Sequence, residues 1–389
     1  MNNFKVSYFI YLAVFFAEFS FFFSLPLLGI SPEISAASVG VCLAGAIILE
    51  SVLMFAIAGY LEHLPRKLLI FSSLLLRAIA FLSLYISLSL ISWLLFFLFL
   101  SISKAISKPF FREVLTESLP REHVKKAMNV FSLFQNTAVF VAPSLASFSD
   151  KYNFMNEIIL TVILCSVIMA IFALNITYPP LASNKKPVSR SPLVGLFYAF
   201  RGNMAKAVQS ILLASFFCFV IMGVFITSTT LIGKVIPDLK EYSGVFFSIV
   251  GITICLWQAI FSKFKPLNDY WISNIIIICG ALSSIYLLGS LYTAVIALIA
   301  YSIYESIVIP EIYVTASGIN SDIPSGVMFS YIVILSNAGS AFGSWITGLA
   351  IENISEYASE FIFFVVFCSS VTSLFFIKIA SKKEAQCQS

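Results

Sequence analysis

Ionisable residues are scarce in this chain: Asp, Glu, Lys and Arg make up 11% of its 389 residues. Soluble domains carry about 25%, so too little charge is present to coat a water-facing globule. Histidine is almost missing, with His63 and His123 both in expected loops. The seven cysteines are scattered singly with no CxxC pair, which indicates neither a disulfide framework nor a metal site. There is no Walker sequence, no HExxH and no GxSxG elbow, so neither an ATP motor, an enzyme nor a cofactor is indicated. No polar stretch is long enough to fold as a soluble domain of its own. The net charge of +4 gathers at helix ends rather than on one basic face, which speaks against a nucleic-acid partner.

What the chain has instead is apolar length. Hydrophobic residues make up 60% and aromatic residues 15%, and the mean hydropathy is +0.99. Twelve runs are long enough to cross a bilayer: 6–29, 38–60, 68–90, 92–110, 127–148, 156–178, 207–232, 242–262, 272–289, 291–310, 326–350 and 360–380. The first exceeds a signal-peptide core and carries Glu18, so it is expected to stay as a helix. Of the 23 Lys and Arg residues, 17 fall at the termini or in loops after even-numbered runs. Only Lys151, Lys234 and Lys240 fall in the opposite loops, and Arg77, Lys104 and Lys108 lie inside runs. By the positive-inside rule both termini are expected in the cytoplasm.

The longest polar interval, 179–206, splits the chain nearly in half. The expected organisation is therefore all-α, with a six-helix bundle over 1–178, a cytoplasmic linker over 179–206 and a second six-helix bundle over 207–389. Leu193–Phe200 could form a short helix on the membrane surface. Weak internal repeats support two related halves: Ser38-Val-Gly40-Val41 matches Tyr242-Ser-Gly244-Val245, Pro109 matches Pro310, and Asn136 matches Asn337.

Six ionisable residues sit inside the runs. Glu50 follows about 11 apolar or small residues, which places it roughly 17 Å into a layer about 30 Å thick. Glu18, Arg77, Lys104 and Glu305 are also expected near mid-membrane, with Lys108 one turn toward the cytoplasm on the same face as Lys104. A charge there costs several kcal/mol unless compensated, so each is a candidate for function. Three acids and three bases can neutralise one another around a polar cavity. A buried carboxylate is sensitive to hydration and to a nearby ammonium, which is what coupling to protons requires. Glu18 and Glu50 are the expected proton or cation site, Lys104 their charge partner, and Glu305 a gate or second site. Arg77 and Lys108 are lesser candidates, and Asn136, Gln258 and Asn337 are candidates for hydrogen bonds to a substrate. Alternatively, the charges serve only to fix helix register.

The end of the second run reads Gly59-Tyr-Leu61-Glu62-His63-Leu-Pro65-Arg66-Lys67. It resembles the signature loop of the major facilitator superfamily, Gly-x-Leu-Asp-Arg-x-Gly-Arg-Arg/Lys, departing at His63 and Pro65. The resemblance implies a fold of two pseudo-twofold-related six-helix bundles that work by alternating access. It also implies a cytoplasmic gate formed by Gly59, Glu62, Arg66 and Lys67; otherwise the loop's cations only set topology. Asn136 to Ala146, with Ala142-Pro143, looks like a degenerate form of the helix 5 motif of antiporters in this family, or a plain packing kink. The segment Pro120 to Met128 resembles the same region of bacterial efflux members. Gly339-Ser-Ala-Phe-Gly343 has the small-xxx-small spacing of tightly packed helices. The aromatics crowding Phe15 to Phe23 are expected mostly to pack or face lipid, and Trp93 and Trp271 to anchor at the interface.

The expected function is proton-coupled export of a small amphipathic compound, such as a drug or siderophore, by a monomer in a bacterial inner membrane. Import of a nutrient or metal chelate is the alternative on the same fold. A membrane receptor or scaffold that moves nothing is the alternative of another class. Small-molecule substrate, protons and the lipid bilayer are the expected partners.

Overall fold

The computed structural model describes residues 2–31, 33–61, 64–117, 121–176, 178, 206–261, 269–283, 290–318 and 325–388. Among them are twelve α-helices: α1 (Asn2–Ile30), α2 (Ala36–Leu61), α3 (Arg66–Ile86), α4 (Leu90–Glu117), α5 (Arg121–Lys151), α6 (Met155–Asn175), α7 (Lys206–Val235), α8 (Ser243–Phe261), α9 (Asp269–Leu282), α10 (Leu291–Gly318), α11 (Ser325–Asn353) and α12 (Ala358–Gln388). In hydrocarbon every backbone N–H and C=O must be bonded within the segment, and a helix achieves this on its own. The surface-helix expectation for Leu193–Phe200 and the linker around it lie outside the described residues.

Local chemistry fixes several helix ends. The Ser35 hydroxyl accepts the Ser38 N–H at 3.2 Å at the start of α2. Ser290 and Thr293 cap α10 reciprocally, each hydroxyl accepting the other's N–H. Pro65, a departure from the loop signature, precedes α3, and its carbonyl accepts the N–H groups of Leu68 and Leu69. α5 ends in a left-handed Asn153 (φ 57°). There the Phe154 N–H reaches the Ser149 carbonyl at 3.0 Å and the Asn153 N–H reaches Asp150 at 3.3 Å, the two bonds of a Schellman ending.

Ten helices are long and apolar enough to span a bilayer, and the chain is a multi-pass membrane protein. The two that fall short are α5 and α9. α5 carries Gln135, Asn136, Thr137, Ser144 and Ser147 along its length, and only 14 residues of α9 are described. Large side chains such as Ile86, Ile91 and Phe364 stand on the outside, while serine hydroxyls along the helices donate to carbonyls one turn back.

The chain divides into two compact units. The first comprises Met1–Ile34, Leu49–Ser189 and Glu241–Ser248; the second comprises Ser35–Ile48, Arg190–Lys240 and Ile249–Ser389. In the first, α1 lies along α5, and α3 packs against both α4 and α6. The first residues of α8 join this unit: Gly244 sits so close to the Pro143 carbonyl that any side chain would overlap it. In the second, α7 packs along α11 and α12, and α9 touches α10 and α12. Gly339 and Gly343 lie over the carbonyls of Phe216 and Val220, and Gly223 lies over that of Ser340. The small-residue spacing on α11 is therefore a packing device. The start of α2 belongs here as well, with Gly40 against Ser344 and Gly348 and the Ala37 N–H donating to Glu352 at 2.8 Å. Gly40 and Gly244, matched in the sequence repeat, thus do the same work of close helix approach.

Trp93 departs from expectation. It is fully buried rather than anchored at the interface, stacked on Phe97 at 5.9 Å and edge-on to Phe96 at 5.6 Å. Aromatic neighbours one turn along α4 outcompete the headgroup region for its ring. Trp271 lies outside the residues whose side chains are described.

Candidate functional site

In the first unit, four of the six intramembrane charges come together. α4 carries Lys104 and Lys108 one turn apart, so both ammoniums leave the same face. They converge on a single carboxylate from α2: Lys104 Nζ stands 3.3 Å from Glu50 Oε2, and Lys108 Nζ donates to Glu50 Oε1 at 2.5 Å. The Lys104 ammonium also lies 4.1 Å from the centre of the Phe21 ring, a cation–π contact from α1. Three residues before Phe21, Glu18 accepts a hydrogen bond from the Gln135 side chain of α5 at 3.1 Å.

Glu18, Gln135 and the two lysines border a narrow recess with room for about one water molecule. Its wall is Val14, Ala17 and Glu18 of α1, Lys104, Ser107, Lys108 and Phe111 of α4, and Phe131 and Gln135 of α5. The charges differ in how they meet it. The Glu50 side chain is 7% exposed and Lys104 10%, whereas Lys108 is 45% exposed. Glu50 is thus set behind the lysines, and Lys108 is the cation that faces the recess.

Arg77 on α3 is fully buried. Its Nη2 donates to Ser103 at 3.1 Å, and that hydroxyl donates to the Ser73 carbonyl at 2.7 Å. Its Nε and Nη1 find no hydrogen-bond partner among the described residues. The carboxylate whose field it feels is that of Glu18. Arg77 is therefore a buried positive charge outside the lining of the recess.

Glu305 lies in the second unit. With Tyr301, Tyr304, Cys218, Phe219, Met222 and Ile309 it lines a second, smaller recess. The Tyr301 hydroxyl lies beside its carboxylate, and the Tyr301 ring stacks on Phe225 at 3.9 Å. Tyr304, buried beside it, stands 3.4 Å from the Ser373 hydroxyl.

Asn136 and Asn337 do not line either recess. Asn136 is half-buried on α5 beside Gln135, and Asn337 is half-buried on α11. The Gln258 side chain lies outside the described residues, as does Glu62 of the expected gate. Gly59 is in the last turn of α2. Arg66 is buried with its guanidinium 6.0 Å from the Phe110 ring centre, while Lys67 is exposed. Sequence reasoning missed Gln135, Ser107 and Phe21. Phe21 could have been found from its place three residues after Glu18, and Ser107 from its place between the two lysines. Gln135 adjoins the chosen Asn136, and only the phase of α5 against α1 separates the two.

A sequence profile described as Major Facilitator Superfamily matches residues 7–344. The chain belongs to the major facilitator superfamily. No curated protein matches it. Among solved structures, a point mutant of the nucleoside transporter NupG is similar with a TM-score of 0.79 and 15% identity, covering 96% of this chain and 99% of that one. A POT family transporter in complex with a thioalcohol-conjugated peptide gives 0.77 and 13%, covering 98% and 96%. A bacterial homologue of the human lysosomal transporter Spinster gives 0.74 and 14%, covering 99% and 98%. At these identities the likeness is one of fold, and the fold is that of secondary transporters.

Proposed function

We propose that this protein is a proton-coupled secondary transporter of a small amphipathic compound, working by alternating access as a monomer in a bacterial inner membrane, with both termini cytoplasmic. One observation carries the reading: an intramembrane recess has a half-buried acid, Glu18, in its wall, held by a neutral amide beside two ammonium groups. The Gln135 amide both donates and accepts, so it can bond Glu18 as carboxylate or as acid. Glu50, by contrast, meets two groups that only donate, which suits a permanent counter-ion. Glu18 is therefore the assigned proton carrier of the first unit. Glu305, beside a tyrosine hydroxyl that can likewise donate or accept, is the second. Arg66 and Lys67 with Gly59 and Glu62 are assigned to the cytoplasmic gate.

Export of a drug or siderophore in exchange for protons draws its support from Ala142-Pro143 on α5 and from the efflux-like segment Pro120 to Met128. The carbonyl of that proline lies against Gly244, a contact that suits the reading of Pro143 as a packing kink. Uptake of a nutrient or chelate together with protons is the direction the recess favours. A proton on Glu18 leaves the wall more positive, and a solute drawn by that charge travels the same way as the proton. The test is flux in proteoliposomes of known orientation, with a pH-sensitive dye inside. Solute-driven proton movement should occur with the native chain. Glu18→Gln should lose it while retaining solute exchange at equal pH. Full coupling in Glu18→Gln would remove Glu18 from the mechanism, and no solute-dependent flux across a broad panel would favour the receptor reading.

A further inference from the structure

Two helices change unit along their length. α2 begins in the second unit and passes into the first between Ile48 and Leu49, and α8 begins in the first and passes into the second after Ser248. Each start is laid on another helix, and the two junctions match in register. The repeat that pairs Gly40 with Gly244 also pairs Ala37 with Glu241. The one that pairs Asn136 with Asn337 also pairs Pro143, Ser147 and Lys151 of α5 with Ser344, Gly348 and Glu352 of α11. The contacts keep this register. Gly244 lies against Pro143 and Ser147, and Gly40 against Ser344 and Gly348. Lys151 meets the Glu241 carboxylate at 2.7 Å, and Glu352 accepts the Ala37 N–H at 2.8 Å.

The two junctions are fastened differently. The start of α8 is bonded to α5 along its first turns. The Gly244 N–H donates to the Ser147 hydroxyl at 3.1 Å, the Ser144 and Ser248 hydroxyls meet at 2.7 Å, and Ser248 also reaches the Phe140 carbonyl. In the same register the start of α2 and the end of α11 carry Ala44, Trp345 and Gly348, none with a hydroxyl. They meet through a smooth surface instead: a Cβ on Gly40 would stand 2.7 Å from the Ser344 carbonyl oxygen and 3.0 Å from Gly348 Cα. The tip of α2 is tied by Glu352, with the Ser35 hydroxyl beside the same carboxylate.

Glu352 is poorly placed for its own helix. An acid in the last turn of α11 sits at the negative end of that helix's dipole, whereas Lys151 in the last turn of α5 suits its own. At the positive end of α2 the carboxylate is well placed, and it takes an N–H that a first turn leaves unbonded. Its position therefore answers to α2 and not to α11.

We propose that the first turns of α2 are a strap that can lift from α11, with Glu352 as its clasp, and that the first turns of α8 are a fixed attachment for which Lys151 and Glu241 are dispensable. The glycine contact under the strap is dispersion, weak for each atom pair and without direction, so the charged hydrogen bond at the tip decides whether the strap stays down. Past Leu49, α2 remains held in the first unit. The device belongs to the fold and does not depend on what the protein carries.

Hydrogen–deuterium exchange of the purified full chain in lipid nanodiscs tests it, read by mass spectrometry over Ser35–Ile48 and Glu241–Ser248. Glu352→Ala should speed exchange over Ser35–Ile48 about ten-fold or more, as loss of a charged hydrogen bond does, and leave Glu241–Ser248 as in the native chain. Glu352→Gln, which keeps an acceptor without the charge, should fall between the two. Lys151→Ala should leave Glu241–Ser248 protected, while Ser147→Ala combined with Ser248→Ala should expose it. Unchanged exchange over Ser35–Ile48 in Glu352→Ala overturns the proposal. So does a rise spread evenly over all helices, which would make Glu352 a residue of general stability. Faster exchange over Glu241–Ser248 in Lys151→Ala overturns it too, since both tips would then be clasps. No solute enters these measurements, so flux through the native chain decides the transport reading separately.

Discussion

Lys108 and Glu50, 58 residues apart in the chain, meet at 2.5 Å, and Lys104 reaches the other oxygen of the same carboxylate at 3.3 Å. Two cations held by one anion make Glu50 the keystone of the first unit's charge cluster. Removing it takes from the buried Lys104 the carboxylate it pairs with, and breaking a buried pair costs about 3–5 kcal/mol. Glu50→Gln should therefore lower the thermal unfolding temperature of the detergent-purified protein markedly. The double variant Glu50→Gln with Lys104→Gln should recover part of that loss. A double variant less stable than the sum of the two single changes would show that Lys104 is held by something other than Glu50.

Glycines separate packing from chance. Gly343 on α11 lies against the Val220 carbonyl of α7, with no room for a side chain, whereas Gly45 on α2 has open space around its Cα. Gly343→Leu should prise α11 from α7 and lower expression and melting temperature, at a cost of more than about 2 kcal/mol, as overpacked sites show. Gly45→Ala should be neutral or stabilise by up to about 1 kcal/mol, since it removes only unfolded-state freedom. Thermal unfolding of both variants side by side checks this.

Much of this architecture is legible in the sequence, because hydrocarbon imposes one rule on every span. The helices α1 to α4, α6 to α8 and α10 to α12 declare themselves through unbroken apolar length. α5 is less plain, since its polar residues turn inward to Glu18 and to the start of α8. The site is legible as an inventory but not as a set of pairs. Glu18, Glu50, Lys104 and Lys108 stand out as costly charges, and the four-residue spacing puts both lysines on one face. That both converge on Glu50, while Glu18 takes an amide instead, depends on how α1, α2, α4 and α5 rotate against each other. No periodicity in one sequence reports that rotation. Trp93 is misread for a related reason: a tryptophan at the start of a run suits a headgroup contact as well as an aromatic cluster, and only the neighbouring helices decide.

Charges outside the membrane behave differently. Lys151 at the end of α5 lies 2.7 Å from Glu241, and that hydrogen bond and charge raise its pKa above the ordinary lysine value. A raised pKa contributes stability that is fully present below the unfolded value and is lost only as pH rises through the folded one. Both values lie near or above about 10, so the pair should give no pH dependence of stability between about pH 5 and 9. Being exposed to water and screened by salt, it should also be expendable: Lys151→Ala should leave melting temperature and transport unchanged in buffer of physiological ionic strength. A clear loss of transport would give the pair a part in the working cycle.

In the second unit the two tyrosines before Glu305 look alike in sequence but have unequal tasks. Tyr301 sets its hydroxyl beside the Glu305 carboxylate and its ring face on Phe225, whereas Tyr304 stands at a long 3.4 Å from Ser373. Tyr301→Phe keeps the stacked ring and deletes only the hydroxyl, leaving the acid without that donor. The expected cost is about 1–3 kcal/mol, and none of it should appear once Glu305 is also replaced by Gln. Tyr304→Phe should cost less, because the bond it gives up is weak at that length. A double-mutant cycle on thermal stability measures the Tyr301–Glu305 coupling directly. If Glu305 also carries a proton during transport, Tyr301→Phe should shift the pH at which transport is half-maximal, and Tyr304→Phe should leave it in place. An equal shift in both variants would mean that the recess as a whole, not this one hydroxyl, governs the acid.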